Sequence, residues 1–196
     1  MLDEVVTGDY SQHPPFPAPQ IALWSLFEKV GISEEDPVPT GRPAKRYFPN
    51  LGAIDEWDAH WLAECAINAI LESSPASNRA ALLIVMPSER NGTMPISLAL
   101  ENKCDVAVLT IPREILSGQS ELPDDDRKKL VRHQADFIVA FDESAVTYST
   151  IDSLCRVVKS VVGDDPDMVG AVIDLGPGGK LDFSITSWKA LSEVSA

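Results

Sequence analysis

Basic residues are scarce in this chain. Sixteen Lys and Arg stand against 30 Asp and Glu, a formal charge of −14. Gripping a nucleic-acid backbone or an anionic membrane needs a basic face, so both partner classes are disfavoured. Long apolar runs are missing as well; no run approaches the roughly 20 residues of a membrane span. Asp3 and Glu4 stand at the start with no apolar core behind them, so no secretion signal is expected. Cysteines are few, odd in number and widely spaced: Cys65, Cys104 and Cys155. That excludes a disulfide framework and a zinc knuckle, and it points to free thiols in a reducing cytoplasm. His13, His60 and His133 are far apart and share no metal-ligand spacing. No Gly-x-Ser-x-Gly elbow and no Walker-type Lys-Ser/Thr occurs.

What is present suits one folded domain with an arm. The chain has 196 residues, 44% of them hydrophobic. A chain of that size buries roughly 70% of its unfolded surface without a covalent or metal staple. Residues 1–19 read as a Pro-rich arm, with Pro14, Pro15, Pro17 and Pro19 blocking helix. Residues 20–196 read as the domain. A helix is expected from Gln20 to a stop near Gly31, then loop or short strands over 33–53. An amphipathic helix over 55–72 places Trp57, Trp61, Leu62, Cys65, Ala66, Ala69 and Ile70 on one stripe. Trp57, Trp61 and the three cysteines are expected in the core.

From residue 80 strands and helices alternate. Strands are expected at 80–86, 105–111, 136–141 and 168–174, with helices at 93–102, 125–134 and 149–162. Ile96, Leu98, Ala99 and Leu100 fall on the first of these helices. Residues 112–124 read as a polar loop, 181–185 as a short strand and 186–194 as a last helix. Residues 176–180 (GPGGK) read as a turn or a nucleotide loop. Such alternation predicts an α/β fold with a parallel central sheet flanked by helices. Ligands then bind beyond the carboxyl ends of the strands, at the loops 87–92, 112–124 and 142–149.

Two of those loops carry residues suited to a phosphorylated sugar. Over 138–150 (IVAFDESAVTYST), a strand delivers Asp142 and Glu143 to its carboxyl end. Adjacent carboxylates can accept hydrogen bonds from the 2- and 3-hydroxyls of a ribose. Thr147, Ser149 and Thr150 then lead into a helix, whose N-terminal N–H groups and hydroxyls can hold a phosphate. The same pattern also describes a plain strand-to-helix junction capped by Ser or Thr. After the first strand, Ser88, Arg90, Asn91 and Gly92 open another helix, and backbone amides with Arg90 suit a pyrophosphate.

Together these segments resemble the type I phosphoribosyltransferases. Residues 138–150 resemble that family's motif for phosphoribosyl pyrophosphate (PRPP), and residues 86–100 its pyrophosphate loop. Leu23–Gly31 (LWSLFEKVG), Thr40-Gly41-Arg42, Tyr47-Phe48 and the end from Ala171 to Leu191 are most similar to orotate phosphoribosyltransferases. The resemblance spans roughly residues 20–191. It implies a small hood built from the N- and C-terminal segments over the parallel sheet. It implies transfer of ribose 5-phosphate from the Mg²⁺ complex of PRPP to a nitrogenous base, orotate among the candidates, in pyrimidine biosynthesis. Asp142 and Glu143 would hold the diol and meet Mg²⁺ only through PRPP; Ser88, Arg90, Asn91, Gly92, Thr147, Ser149 and Thr150 would bind its phosphates. Arg113 would be catalytic with the two acids, and Arg42, Tyr47 and Phe48 would meet the base. A homodimer is the implied assembly.

The sequence departs from the family in two places. Tyr148 and Ser149 stand where the orotate enzymes have Gly-Gly, a place where backbone approaches phosphate. After Arg113 no Lys occurs before Lys128, while Glu121, Asp124, Asp125 and Asp126 crowd the segment that carries catalytic cations in the family. These departures keep open a non-catalytic protein of the same fold that binds a nucleotide or a partner in a regulatory role.

Overall fold

The computed structural model describes residues 26, 29–30, 32–35, 46–74, 76, 78–88, 93–133, 137–145, 149–163, 169–174 and 182–187. Its elements in chain order are β1 (Ile32–Glu35), β2 (Arg46–Pro49), α1 (Glu56–Ser73), β3 (Leu82–Pro87), α2 (Thr93–Asn102) and β4 (Ala107–Ile111). Then follow α3 (Arg113–Leu116), α4 (Asp124–Arg132), β5 (Phe137–Ala145), α5 (Ser149–Val162), β6 (Val169–Asp174) and β7 (Asp182–Ser187). The arm at 1–19, the turn at 176–180 and residues 188–194 of the expected last helix lie outside the described residues.

β3, with the sequence LLIVMP, is buried at every position. A strand covered on both faces has no polar face to alternate with, so it reads as an unbroken apolar run. Its side chains divide by strand alternation between two cores. Leu82, Ile84 and Met86 join one with α1 and α2; Leu83 and Val85 join the other with α3, α4 and α5. β5 divides the same way: Phe137, Val139 and Phe141 face α1 and α2, and Ile138 and Ala140 face α5. The five-stranded sheet has the order β4-β3-β5-β6-β7. β4, β3, β5 and β6 run parallel, and β7 closes the far edge antiparallel to β6. This is the expected α/β architecture. β1 and β2 form a separate antiparallel pair, with Ser33 opposite Phe48 and Glu34 opposite Tyr47. Among the described residues no helix is long and apolar enough to cross a membrane.

Local chemistry sets the element ends. Asp55 caps α1 by accepting from the Asp58 N–H at 2.9 Å, and Lys29 bridges Asp55 and Asp58 at 3.0 and 2.6 Å. Leaving α2, Asp105 takes φ +59°, and the Val106 N–H donates to the Leu100 carbonyl at 3.1 Å. The bond satisfies a carbonyl of the last helical turn, and Asp is one of the few non-glycine residues that tolerates the left-handed position. Asp124, Asp125 and Asp126 occupy the first turn of α4, with Lys129 and Arg132 in its last. Charges of those signs favour the helix dipole at each end. Lys129 also donates through Nζ to the Val108 carbonyl of the edge strand β4.

Several expectations need correction. Trp57, expected in the core, is 61% exposed; Leu98 lies on its expected helix and is 51% exposed. α1 buries its residues 58, 59, 61–67 and 70, so Trp57 at its first turn is left outside while Trp61 is buried. Residues 80 and 81 form a short 3-10 turn before β3, and the strand extends to Pro87 instead. Residues 112–124 are not a bare polar loop: α3 forms there, and Ile115 and Leu122 are buried against α5. Residues 186 and 187 continue β7 where a helix was expected, because they pair with Gly170 and Val169. All three cysteines are buried, as expected.

Ile84→Ala, in the centre of β3, should cost about 2–5 kcal/mol of stability. Leu98→Ala should stay within about 0.5 kcal/mol. Urea unfolding of both variants checks the contrast.

Candidate functional site

The strand order creates the site. From β3 the chain crosses through α2 to β4, then returns past β3 to β5 and moves on through α5 to β6. The helices that follow the neighbouring strands β3 and β5 therefore cover opposite faces: α2 packs into one core and α5 into the other. A crevice opens beyond the carboxyl ends of such a pair of strands, and it is the usual ligand position in open parallel sheets.

A cavity of about 440 Å³ occupies this place, lined by Pro87, Arg113, Leu116, Ser117, Ser149, Thr150 and Ser153. Pro87 ends β3, Arg113 opens α3 directly after β4, and Ser149, Thr150 and Ser153 belong to the first turns of α5. Among the described residues the lining includes a guanidinium and no carboxylate. The first N–H groups of a helix have no partner within it and carry the positive end of its dipole. Hydroxyls, a guanidinium and a helix N-terminus converging on one cavity form an anion-binding arrangement.

Of the residues read from sequence, the structure brings Arg113, Ser149 and Thr150 together here. Ser88 is half-buried at the end of β3, where its N–H donates to the Ile111 carbonyl at 2.9 Å. Thr93 ties the start of α2 to the same corner, its hydroxyl donating to the Pro87 carbonyl at 2.7 Å. Asp142 lies on β5 opposite Val172 and is 1% exposed. Strand alternation puts it on the face of Ile138 and Ala140, the α5 side, and a diol reaches its carboxylate only if the strand end opens. Glu143 follows it on β5, in the stretch where the pairing with β6 shifts register. Tyr47 and Phe48 lie on β2. Arg42, Arg90, Asn91, Gly92, Thr147 and Tyr148 lie outside the described residues. Leu116, Ser117 and Ser153 line the cavity and are not singled out by sequence. The one signal was helical spacing, since Ser153 lies one turn beyond Ser149 and Thr150.

The acids of the 112–124 segment stay out of this cavity. Asp125 pairs with Lys128 at 2.9 Å, Glu121 with Arg127 at 3.4 Å, and Asp124 and Asp126 sit at the start of α4.

A second polar cluster lies in the α1–α2 layer, where His60, Glu64 and Cys104 have ligand atoms within 4.8 Å of one another. Sequence spacing missed it because Cys104 arrives from a distant segment. Arg79 already holds Glu64 in a two-pronged ion pair at 2.6 and 2.5 Å, and His60 lies 3.6 Å from the same carboxylate. Burial pushes the Glu64 carboxyl up, but the Arg79 fork, with smaller help from Cys104 and His60, more than offsets it. The net shift is below the usual 4.5. A carboxylate engaged on both oxygens by a guanidinium is a poor cation ligand, so the cluster reads as a structural ion pair. Burial pushes the Cys65 thiol up, and those of Cys104 and Cys155 up to about 12. Such thiols are not thiolate nucleophiles near neutral pH.

No protein-family model matches the chain, and no curated protein matches it.

The depressed Glu64 value sets a pH dependence. Its contribution to stability is complete above the unfolded carboxylate range and is lost as pH falls through the lower folded value. Denaturation midpoints of the wild type should therefore fall on acidification below about pH 4.5. Glu64→Gln should be less stable at neutral pH and show a flatter acid limb; an identical limb would contradict the ion-pair account.

Proposed function

We propose that the chain binds a phosphorylated ribose in the cavity between β3, α3 and the start of α5. Its ligand is the Mg²⁺ complex of PRPP, from which a nitrogenous base, orotate among the candidates, takes ribose 5-phosphate and releases pyrophosphate. The observation that carries this reading is the convergence of Arg113, Ser149 and Thr150 on one cavity at the switch between β3 and β5, with no acid among its described lining residues.

The 5-phosphate would sit on the first N–H groups of α5, with the Ser149 and Thr150 hydroxyls donating to it. Arg113 would face the anionic end of the ligand and neutralise charge as pyrophosphate departs. Asp142 and Glu143 would hold the ribose diol once the end of β5 opens to admit it, and they would meet Mg²⁺ only through PRPP. The segment 88–92 would hold the pyrophosphate; Arg42, Tyr47 and Phe48 would meet the base. Transfer passes through an oxocarbenium-like centre, so positioning and charge neutralisation supply most of the catalysis. A homodimer in the cytoplasm is the setting that goes with this reading.

A second reading, a non-catalytic protein of the same fold, draws on two observations. A catalytic lid needs a segment with little to bury, yet Ile115 and Leu122 anchor 113–122 in the core beside α5. The buried carboxylate of Asp142 likewise suits a closed strand end.

Calorimetry with PRPP and Mg²⁺ separates the outcomes. The first reading expects binding, and turnover when a base panel that includes orotate is added. Arg113→Ala should weaken PRPP binding about tenfold, the loss of one charge-assisted hydrogen bond, and cut turnover further. Binding with no turnover on any base selects the second reading; absence of binding removes the first and leaves the second only as a protein that binds another nucleotide or a partner.

A further inference from the structure

A second cavity, about 360 Å³, opens beside the first, and the two share Leu116, Ser117 and Ser153. It runs along the outer face of α5, where Ser153, Arg156, Val157 and Ser160 recur at helical spacing. The opposite wall comes from the segment after α3 and from Arg127 of α4.

The charge of this groove runs against that of the chain. Acidic residues outnumber basic ones by 30 to 16 overall. Among the described residues the charged lining of the two cavities is Arg113, Arg127 and Arg156 against Glu121. Both guanidiniums of the second cavity are already oriented. Arg127 Nε donates to the Leu122 carbonyl at 3.0 Å, and Arg156 donates to the Ser153 hydroxyl at 3.1 Å. Their carboxylate partners are Glu121, 93% exposed, at 3.4 Å and Asp152, 43% exposed, at 3.1 Å. Ion pairs exposed to that degree hold weakly, so an arriving phosphate can exchange with them. Ser117, Ser120 and Ser160 add hydroxyls along the floor and rim.

Six residues of α5 separate Thr150 from Arg156, which is about 9 Å at the helical rise of about 1.5 Å per residue. The geometry points to one continuous site for a sugar carrying two phosphates about that far apart. One phosphate rests on Arg113 and the start of α5, the other between Arg127 and Arg156. The inference rests on the ribose-phosphate reading of the first cavity and extends it. The second phosphate here is not the pyrophosphate of PRPP, which the resemblance assigns to residues 88–92.

The test uses two probes on the full chain, ribose 5-phosphate and ribulose 1,5-bisphosphate, in calorimetric titrations at fixed salt. The wild type should bind the bisphosphate at least tenfold more tightly than the monophosphate. The double variant Arg127→Gln with Arg156→Gln should erase that margin and leave ribose 5-phosphate affinity within twofold. Both side chains are largely exposed, 45% and 65%, so the variant should fold, and its melting curve checks this. Arg113→Ala should weaken both probes. Equal affinity for the two probes on the wild type overturns the second subsite while leaving the first cavity's reading intact. Bisphosphate binding that survives the double variant overturns it too. Failure of both probes to bind overturns both readings.

Discussion

A strand with no polar face has to be covered on both sides, and the placement of the site follows from how β3 is covered. Its even-numbered side chains, Leu82, Ile84 and Met86, are buried under α1 and α2, and its odd ones, Leu83 and Val85, under the α5 layer. To supply helices to both faces the chain must reverse direction across the sheet. It does so between β3 and β5, and the reversal leaves the crevice in which Arg113 meets the first turn of α5. The cavity is thus a by-product of covering the core, and its chemistry comes from the few polar residues the chain places at three strand ends.

Electrostatics sorts the acidic surplus away from that crevice. Asp124, Asp125 and Asp126 are taken up at the start of α4, where the helix dipole favours them. Asp55 and Asp58 share Lys29, and Glu64 is held by Arg79 in the opposite layer. Among the described residues the charged side chains that line the crevice and its neighbouring cavity are Arg113, Arg127 and Arg156 against Glu121, in a chain poor in arginine and lysine. In sequence, the acids after Arg113 read as hostile to an anionic ligand; in three dimensions none of Asp124–Asp126 lines either cavity.

The framework was legible because its signals are local and periodic. The unbroken run at 82–86 announces a doubly covered strand and the stripe at 55–72 announces α1, whereas the strand expected to end at Phe141 runs on through Asp142 to Ala145 because its pairing with β6 continues. The alternation from residue 80 onward yields the parallel sheet. Contacts made across distance were not legible. The packing of Ile115 and Leu122 on α5 turns an apparently polar loop into part of the core, because two apolar residues suffice when a neighbouring helix offers a groove. The exposure of Trp57 depends on where α1 begins to meet the sheet, which spacing alone does not give. The meeting of Cys104 with Glu64 and Arg79 depends on how α2 packs on α1. Within the site, Arg113, Ser149 and Thr150 follow from their places beside strand ends, whereas Ser117 and Ser153 emerge only once α3 and α5 are side by side.

Hydrogen exchange with and without ribose 5-phosphate tests the central claim, that the reversal between β3 and β5 builds an anion site at the start of α5. The account predicts that the ligand slows exchange at residues 113–117 and 149–153 together, while α1 and the Glu64–Arg79 pair are unchanged. Protection confined to other segments, or none at saturating ligand, would contradict it.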